Sequence, residues 1–216
     1  HAAGTTYRGR KIGSHGTAVC FSFHPVKNLA MPTGGAITLN TKNCSQFETN
    51  LKSKRWCGIS DRDGVKYNVD KMGLNYYLNE FSAAIGIEQL KKIDEIDVKR
   101  RANFARIKDL IEKNVPGVRT AAKLDKSDPS WFGVPLITET RELKEKFQAF
   151  CEKNRIQTRN YFAGNILLHP GYKHLDNAAD YPNANKALSN VFFVGCPPHY
   201  GEKVFEYYES VMKKWQ

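Results

Sequence analysis

Hydrophobic positions along the chain follow two periods. Residues 17–24 (TAVCFSFH) alternate and are rich in aromatic and β-branched side chains, which predicts a strand. Residues 35–39 (GAITL) predict a second strand, entered through the Gly34-Gly35 turn. Residues 43–55 predict a short polar helix, and 56–72, rich in Gly, Asp and Arg, a loop. The period then lengthens. From Asn79, a residue type that caps helices, Phe81, Ala84, Ile85, Ile87, Leu90 and Ile93 recur three and four apart and predict a helix with an apolar face. Ala83, Ala84 and Gly86 leave part of its surface small enough for close approach of another element.

A highly charged helix is predicted from about 95 to 114, stopped by Asn114-Val115-Pro116-Gly117. A domain hinge is expected within it, dividing 1–95 from 96–216. Beyond it, 131–137 predicts a strand, 142–154 an amphipathic helix, and 156–162 and 191–195 two further strands. Residues 202–215 predict a final helix with Tyr207, Tyr208 and Trp215 in its core. Alternation of strands and helices points to α/β or α+β packing.

Composition narrows the picture. An apolar content of 41% in 216 residues supports a real core in one large domain or two small ones. No run of about 18 apolar residues is present, so no membrane span is expected. A charged n-region and an apolar h-region are both missing, so no secretory signal is expected. The five cysteines are scattered, with no CxxC pair, which argues against a disulfide framework or a metal site and fits a cytoplasmic protein. The net charge of +11 favours anionic partners. It is spread thinly, without a zinc-finger or RNP-type motif, so a phosphorylated small molecule is expected rather than nucleic acid. Its densest run, residues 99–101 (KRR), is expected to form a solvated helix face.

Candidate chemistry centres on Lys27. Burial disfavours the charged form of a lysine, and a lysine in the turn after a buried strand can then form a Schiff base with a carbonyl. Ser22, five residues upstream, could offer a hydroxyl to a phosphate. On pattern alone these remain a solvated surface lysine and a strand-edge hydroxyl.

The stretch SFHPVKNL with the following GGAI closely resembles the Schiff-base segment of the DegT/DnrJ/EryC1/StrS sugar aminotransferases. HAAGTTYRGRKIGSHGTAVCFSF resembles the segment leading into it, and GLNYYLNEFSAAIGIEQLKKID a characteristic family helix. IQTRNYFAGNILLHPGY near the C-terminus also resembles a family segment, so the likeness covers essentially the whole chain. It implies the fold-type I, aspartate-aminotransferase-like architecture. The chain would be its C-terminal part: residues 1–95 belonging to the large pyridoxal-phosphate-binding domain and its sheet, 96–216 forming a small α+β domain. The implied cofactor is pyridoxal 5'-phosphate. Lys27 would bind it covalently and relay protons. Ser22 would bind its phosphate, Asn75 would reach the phosphate of a neighbouring subunit's cofactor, and His1 would lie beside its 3-hydroxyl. Arg159, Tyr161 and Asn165 would approach the sugar nucleotide, and Arg62 is a weaker candidate. The structural alternatives are a turn role for Asn75 and a salt bridge for Arg159. His169 and His199 are read as loop histidines.

The resemblance implies amino transfer, with glutamate the usual donor, to a nucleotide-linked keto sugar, in a homodimer with shared active sites. The first residues, HAAGTTYRG, lack an initiator Met and read as mid-domain sequence. An N-terminally truncated fragment, unable to hold the cofactor competently alone, is therefore expected. Two features depart from the common pattern. TRNYFAGNILLHPGY is closer to the branch of pyridoxamine-phosphate-dependent sugar 3-dehydratases, although those carry His at the position of Lys27. Residues 30–33 (AMPT) lack the acidic residue that usually precedes the Gly-Gly. A dehydratase and a non-catalytic fragment that only binds partners therefore stand as alternatives.

Overall fold

The computed structural model describes residues 1–215 and has a mixed α/β character. In chain order the elements are β1 (Thr6–Tyr7), β2 (Arg10–Lys11), β3 (Ala18–Ser22), β4 (Gly35–Leu39), α1 (Cys44–Arg55), β5 (Ile59–Asp63), β6 (Lys66–Val69) and α2 (Glu80–Leu90). There follow α3 (Ile93–Asn114), β7 (Val118–Thr120), β8 (Ser127–Asp128), β9 (Gly133–Thr138), α4 (Arg141–Lys153), β10 (Thr158–Asn160), α5 (Pro182–Asn190), β11 (Val191–Gly195) and α6 (Glu202–Met212). The chain divides into two compact units, His1–Glu95 with Lys126–Ser130, and Ile96–Asp125 with Trp131–Gln216.

In the first unit β3 and β4 pair antiparallel, with Cys20 opposite Ile37 and Ser22 opposite Gly35. Val19 and Phe21 turn to the half-buried face of β3; Ala18, Cys20 and Ser22 turn outward. β1 pairs with β2 and, on its other edge, with β8, which returns from about 120 residues later. Residues 56–72, expected to be a loop, instead contain the hairpin β5–β6. Its strands are polar and almost wholly exposed, so no apolar alternation betrays them. With Asp63 paired to Lys66, Gly64-Val65 makes the two-residue turn, Gly64 at φ 58° in its first central position. An edge-on contact between Trp56 and Tyr67 anchors the hairpin to the end of α1.

Asn79 caps α2 as expected, its Oδ1 accepting the Ser82 N–H at 2.8 Å. The buried face of α2 differs from the expected one. Ser82 and Gly86 are buried, while Phe81 is 85% exposed and Ile85, Ile87 and Leu90 are also exposed. Met31 explains the close approach: a Cβ on Gly86 would lie 2.7 Å from its sulfur and one on Gly34 2.9 Å from its methyl. The helix sits small side down on Met31, and its large apolar side chains face outward.

The second unit holds the four-stranded antiparallel sheet β10-β11-β9-β7. Its core is continuous. Ile107 and Ile111 from α3, Val134 and Leu136 from β9, Phe147 from α4, Phe192 and Val194 from β11 and Val211 from α6 are all essentially inaccessible. Phe147 meets Trp215 and Phe192 edge-on, at centroid distances of 4.9 and 5.8 Å. Tyr208 belongs to this core, but Tyr207 does not; it is 44% exposed and its hydroxyl donates to the Asn154 carbonyl. The run at 99–101 is likewise not a fully solvated face. Helical spacing turns Arg100 onto the side of Asn103, Phe104 and Ile107, where it is buried and donates to the Trp131 and Phe132 carbonyls.

Candidate active site

Lys27 stands in a tight excursion between β3 and β4. The Phe23 N–H donates to the Gly34 carbonyl and the Met31 N–H to the Phe23 carbonyl, so the loop closes on Phe23 at 2.9 and 3.1 Å. Within it the Lys27 N–H donates to the His24 carbonyl at 2.9 Å, forming a one-turn bend through Pro25 and Val26. His24, Pro25 and Val26 are exposed, Lys27 is half-buried, and Asn28, Leu29 and Met31 are buried. The lysine therefore lies where the loop turns from solvent into the protein.

Nζ of Lys27 is in hydrogen-bond contact with Nε2 of His1. Partial burial lowers the Lys27 pKa from its ordinary value, which favours a neutral, nucleophilic amine. Ser22 ends β3 on its exposed face, across from Gly35. A Cβ at Gly35 would lie 2.6 Å from the Phe21 carbonyl oxygen, so this register needs glycine beside the serine. Asn75 lies on another segment of the same unit. It is exposed and bridges Trp56 through the backbone, beside the Cys57 N–H to Leu74 carbonyl bond. The structure thus joins Lys27 with His1 directly, while Ser22 and Asn75 make no hydrogen bond to either.

Three further candidates, Arg159, Tyr161 and Asn165, lie on β10 and in the loop after it. Arg159 is exposed on β10, opposite Phe193 of β11. Among the described residues no carboxylate pairs with it, so the structural salt bridge is not formed. Tyr161 follows, 38% exposed, edge-on to Phe162 at 5.2 Å. Asn165 is buried and its amide is engaged at both ends. Oδ1 accepts the Leu167 N–H, and Nδ2 donates to Asn185 Oδ1 at 2.9 Å and to the Ala178 carbonyl at 3.2 Å. Arg62 curls over the hairpin turn, its Nε donating to Gly64. His169 touches the Ala163 carbonyl. Among the described residues no cluster of His, Cys, Asp or Glu could hold a metal ion, and no helix is long and apolar enough to cross a membrane.

Sequence reasoning missed Asn28 and Ser130. The Asn28 Nδ2 donates to the Ser130 carbonyl at 2.8 Å, to Ser130 Oγ at 3.0 Å and to the Ala3 carbonyl at 3.4 Å. Ser130 in turn donates its N–H to Thr5 Oγ1 at 2.9 Å. The lysine loop, the segment that carries His1 and the stretch after β8 are thereby fastened together. The one signal in the sequence was a polar residue directly after the candidate lysine. Its partner lies 102 residues away.

A lysine amine beside an imidazole, in a loop between paired strands, is an arrangement capable of reacting with a carbonyl. The DegT/DnrJ/EryC1/StrS aminotransferase family model matches residues 1–213, and the chain belongs to that family. It is 24% identical over 238 residues to the lipopolysaccharide biosynthesis protein RfbH of Salmonella typhimurium, covering 99% of this chain and 54% of that protein. It is 26% identical to the dTDP-4-dehydro-2,6-dideoxy-D-glucose 3-dehydratase of Saccharopolyspora spinosa, covering 95% and 50%. Among solved structures, the PLP form of the putative sugar aminotransferase Spr1654 from Streptococcus pneumoniae superposes with a TM-score of 0.88 at 20% identity, covering 99% of this chain and 56% of that one. The chain therefore has the fold of part of such a structure and spans about half the length of the curated relatives it matches.

Proposed function

We propose that this chain carries the reactive lysine of a pyridoxal-phosphate-dependent aminotransferase that transfers an amino group, with glutamate as donor, to a nucleotide-linked keto sugar. The observation that carries the reading is the Lys27 amine, half-buried, lowered in pKa and in contact with His1. The donors fit the cofactor in kind. An amine can bond its aldehyde carbon, an imidazole can hydrogen-bond its ring hydroxyl, and the outward Ser22 hydroxyl can donate to its phosphate. When bound, pyridoxal phosphate supplies an electron sink that makes removal of a proton next to nitrogen feasible. Lys27 Nζ then carries that proton between carbon positions, and His1 orients Nζ. Asn75, exposed, is available to the cofactor of a second subunit in a homodimer. Arg159, uncommitted to any carboxylate, suits a diphosphate through its planar fork. Tyr161 flanks that surface, while Asn165 holds its loop from within. We assign residues 1–95 to the cofactor domain and 96–216 to the small domain, place the enzyme in the cytoplasm, and expect the chain alone to bind the cofactor incompetently.

The test is borohydride reduction with pyridoxal phosphate, followed by peptide mass mapping, on the complete protein and on this chain. A reduced-cofactor increment on Lys27 of the complete protein, lost in Lys27→Ala, supports the reading. An unlabelled Lys27 in the complete protein overturns it. The second reading, a pyridoxamine-phosphate-dependent 3-dehydratase, is favoured by the likeness to the Saccharopolyspora enzyme over 95% of the chain. It requires the cofactor to remain non-covalent, so the same increment on Lys27 excludes it. A non-catalytic binding fragment would show neither the increment nor turnover.

A further inference from the structure

We propose that Asn28 is the positioning residue for Lys27, fixing where the amine sits through Ser130 and Ala3. This rests on the reading of Lys27 as the reactive amine. The geometry of the loop leads to it. On the N-terminal side of Lys27, residues 24–26 are exposed, and their bend, closed by the Lys27 N–H to His24 carbonyl bond, is tied only to itself. On the C-terminal side, Asn28 is 3% exposed and Met31 is 5% exposed, wedged against Gly34 and Gly86. The backbone is thus gripped from one side, and Asn28 is the first point of grip. Its single amide nitrogen reaches Ser130 twice and Ala3 once, and Ala3 lies two residues from His1. One side chain therefore sets the spacing between the two segments whose side chains meet at Nζ.

The amide is oriented one way. Rotated by half a turn, Oδ1 would face the Ser130 carbonyl and the two oxygens would repel. In the orientation present, Oδ1 is buried without a hydrogen-bond partner. A buried acceptor left unpaired is destabilising. An apolar side chain of similar size would avoid that cost but would leave the lysine loop unfastened. The arrangement favours placement of the neighbouring amine over stability.

The test is competitive labelling of the chain with trace acetic anhydride across a range of pH, read lysine by lysine by mass spectrometry. Exposed Lys173 and Lys214 serve as references within the same molecule. His1, in contact with Nζ, is the titratable group to follow alongside. In the unaltered chain the apparent midpoint of Lys27 lies below those of the references. In Asn28→Ala it rises towards them, so that the labelling rate of Lys27 relative to the references at neutral pH falls severalfold. Ser130→Ala, which removes only one acceptor, gives a smaller change in the same direction. A Lys27 midpoint unchanged in Asn28→Ala overturns the inference. If circular dichroism shows that variant unfolded, an unchanged midpoint in folded Ser130→Ala overturns it instead. A purely structural Asn28 would lower the melting temperature and leave the Lys27 midpoint of the folded protein where it was. A Lys27 that already titrates with the references in the unaltered chain defeats the underlying reading of Lys27, a result separate from either variant.

Discussion

The two units of this chain, which spans about half the length of its relatives, differ in how much apolar surface they bury within it. The second, Ile96–Asp125 with Trp131–Gln216, owns nearly all of the buried apolar side chains, from Phe104 on α3 to Met212 on α6. The first buries only Leu29 and Met31 among its hydrophobic side chains, both in the lysine loop. Its strands come in twos and threes, and its longest apolar helix, α2, turns Phe81, Ile85, Ile87 and Leu90 outward. A four-stranded sheet covered by amphipathic helices can stabilise itself, whereas a two-stranded pair is marginal in water. The difference teaches what this chain can stabilise by itself. The unit with the core carries Arg159 and Tyr161 on its surface, and the unit with Lys27 has almost no core of its own except the side chains around the Lys27 loop.

Amide hydrogen exchange is the most direct way to break this comparison. Amides of β9, β11 and α4 exchange only through global opening of the second unit, and those of β5 and β6 through small local openings. Their protection factors are expected to differ by at least about a thousandfold. Equal protection in the two regions would show that the first unit has a hidden source of stability. Substitution sharpens the same contrast. Phe147→Ala removes an inaccessible ring packed against Phe192 and Trp215, at an expected cost of about 3–5 kcal/mol. Phe81→Ser alters a side chain 85% exposed and should change stability by no more than about 0.5 kcal/mol, while improving solubility. Urea melts of the two variants against the unaltered chain measure both.

What the sequence revealed follows the same division. Local signals were legible: the alternation of β3, the Asn79 cap, and the stop at Pro116-Gly117, where Gly117 adopts φ 76°. Elements with a covered face, such as α4 and β11, were legible because burial imposes a period. The hairpin β5–β6 was not, since neither face of it is buried. The α2 face was misassigned because its large apolar residues suggested a core that the chain does not place there; the buried side is Ser82 and Gly86, with Gly86 against Met31. Arg100 went wrong for a related reason. Charge suggested solvent, but two backbone carbonyls accept from Nη1 of the guanidinium inside, while its Nε is buried without a hydrogen-bond partner. At the candidate site, Lys27 could be singled out by resemblance and His1 with it. The Asn28–Ser130 fastening could not, because no local pattern links residues that far apart.

The smallest expected effect concerns how the second unit joins its longest helix to its sheet. Glu112, near the end of α3, accepts the Thr120 N–H at 2.8 Å and the Thr120 hydroxyl at 2.7 Å through one oxygen, and Lys108 Nζ at 2.6 Å through the other. Burial pushes its pKa up, but the Lys108 and Thr120 donors outweigh it and hold the carboxyl down at about 2. The sign of the pH dependence follows. In the unfolded chain this carboxylate titrates at its ordinary 4.5, so the folded state prefers the ionised form. Its contribution is complete above that value and is lost as pH falls from 4.5 towards 2. The side chain is still 30% exposed, so solvent screens the ion pair and the net contribution is about 1 kcal/mol at neutral pH. Glu112→Gln should therefore be less stable than the unaltered chain in urea melts at pH 7, with the gap narrowing steadily at acid pH. A gap that stays constant with pH would mean that the Thr120 bonds act through shape alone, and that the charge of Glu112 contributes nothing to the unit that is otherwise the self-sufficient one.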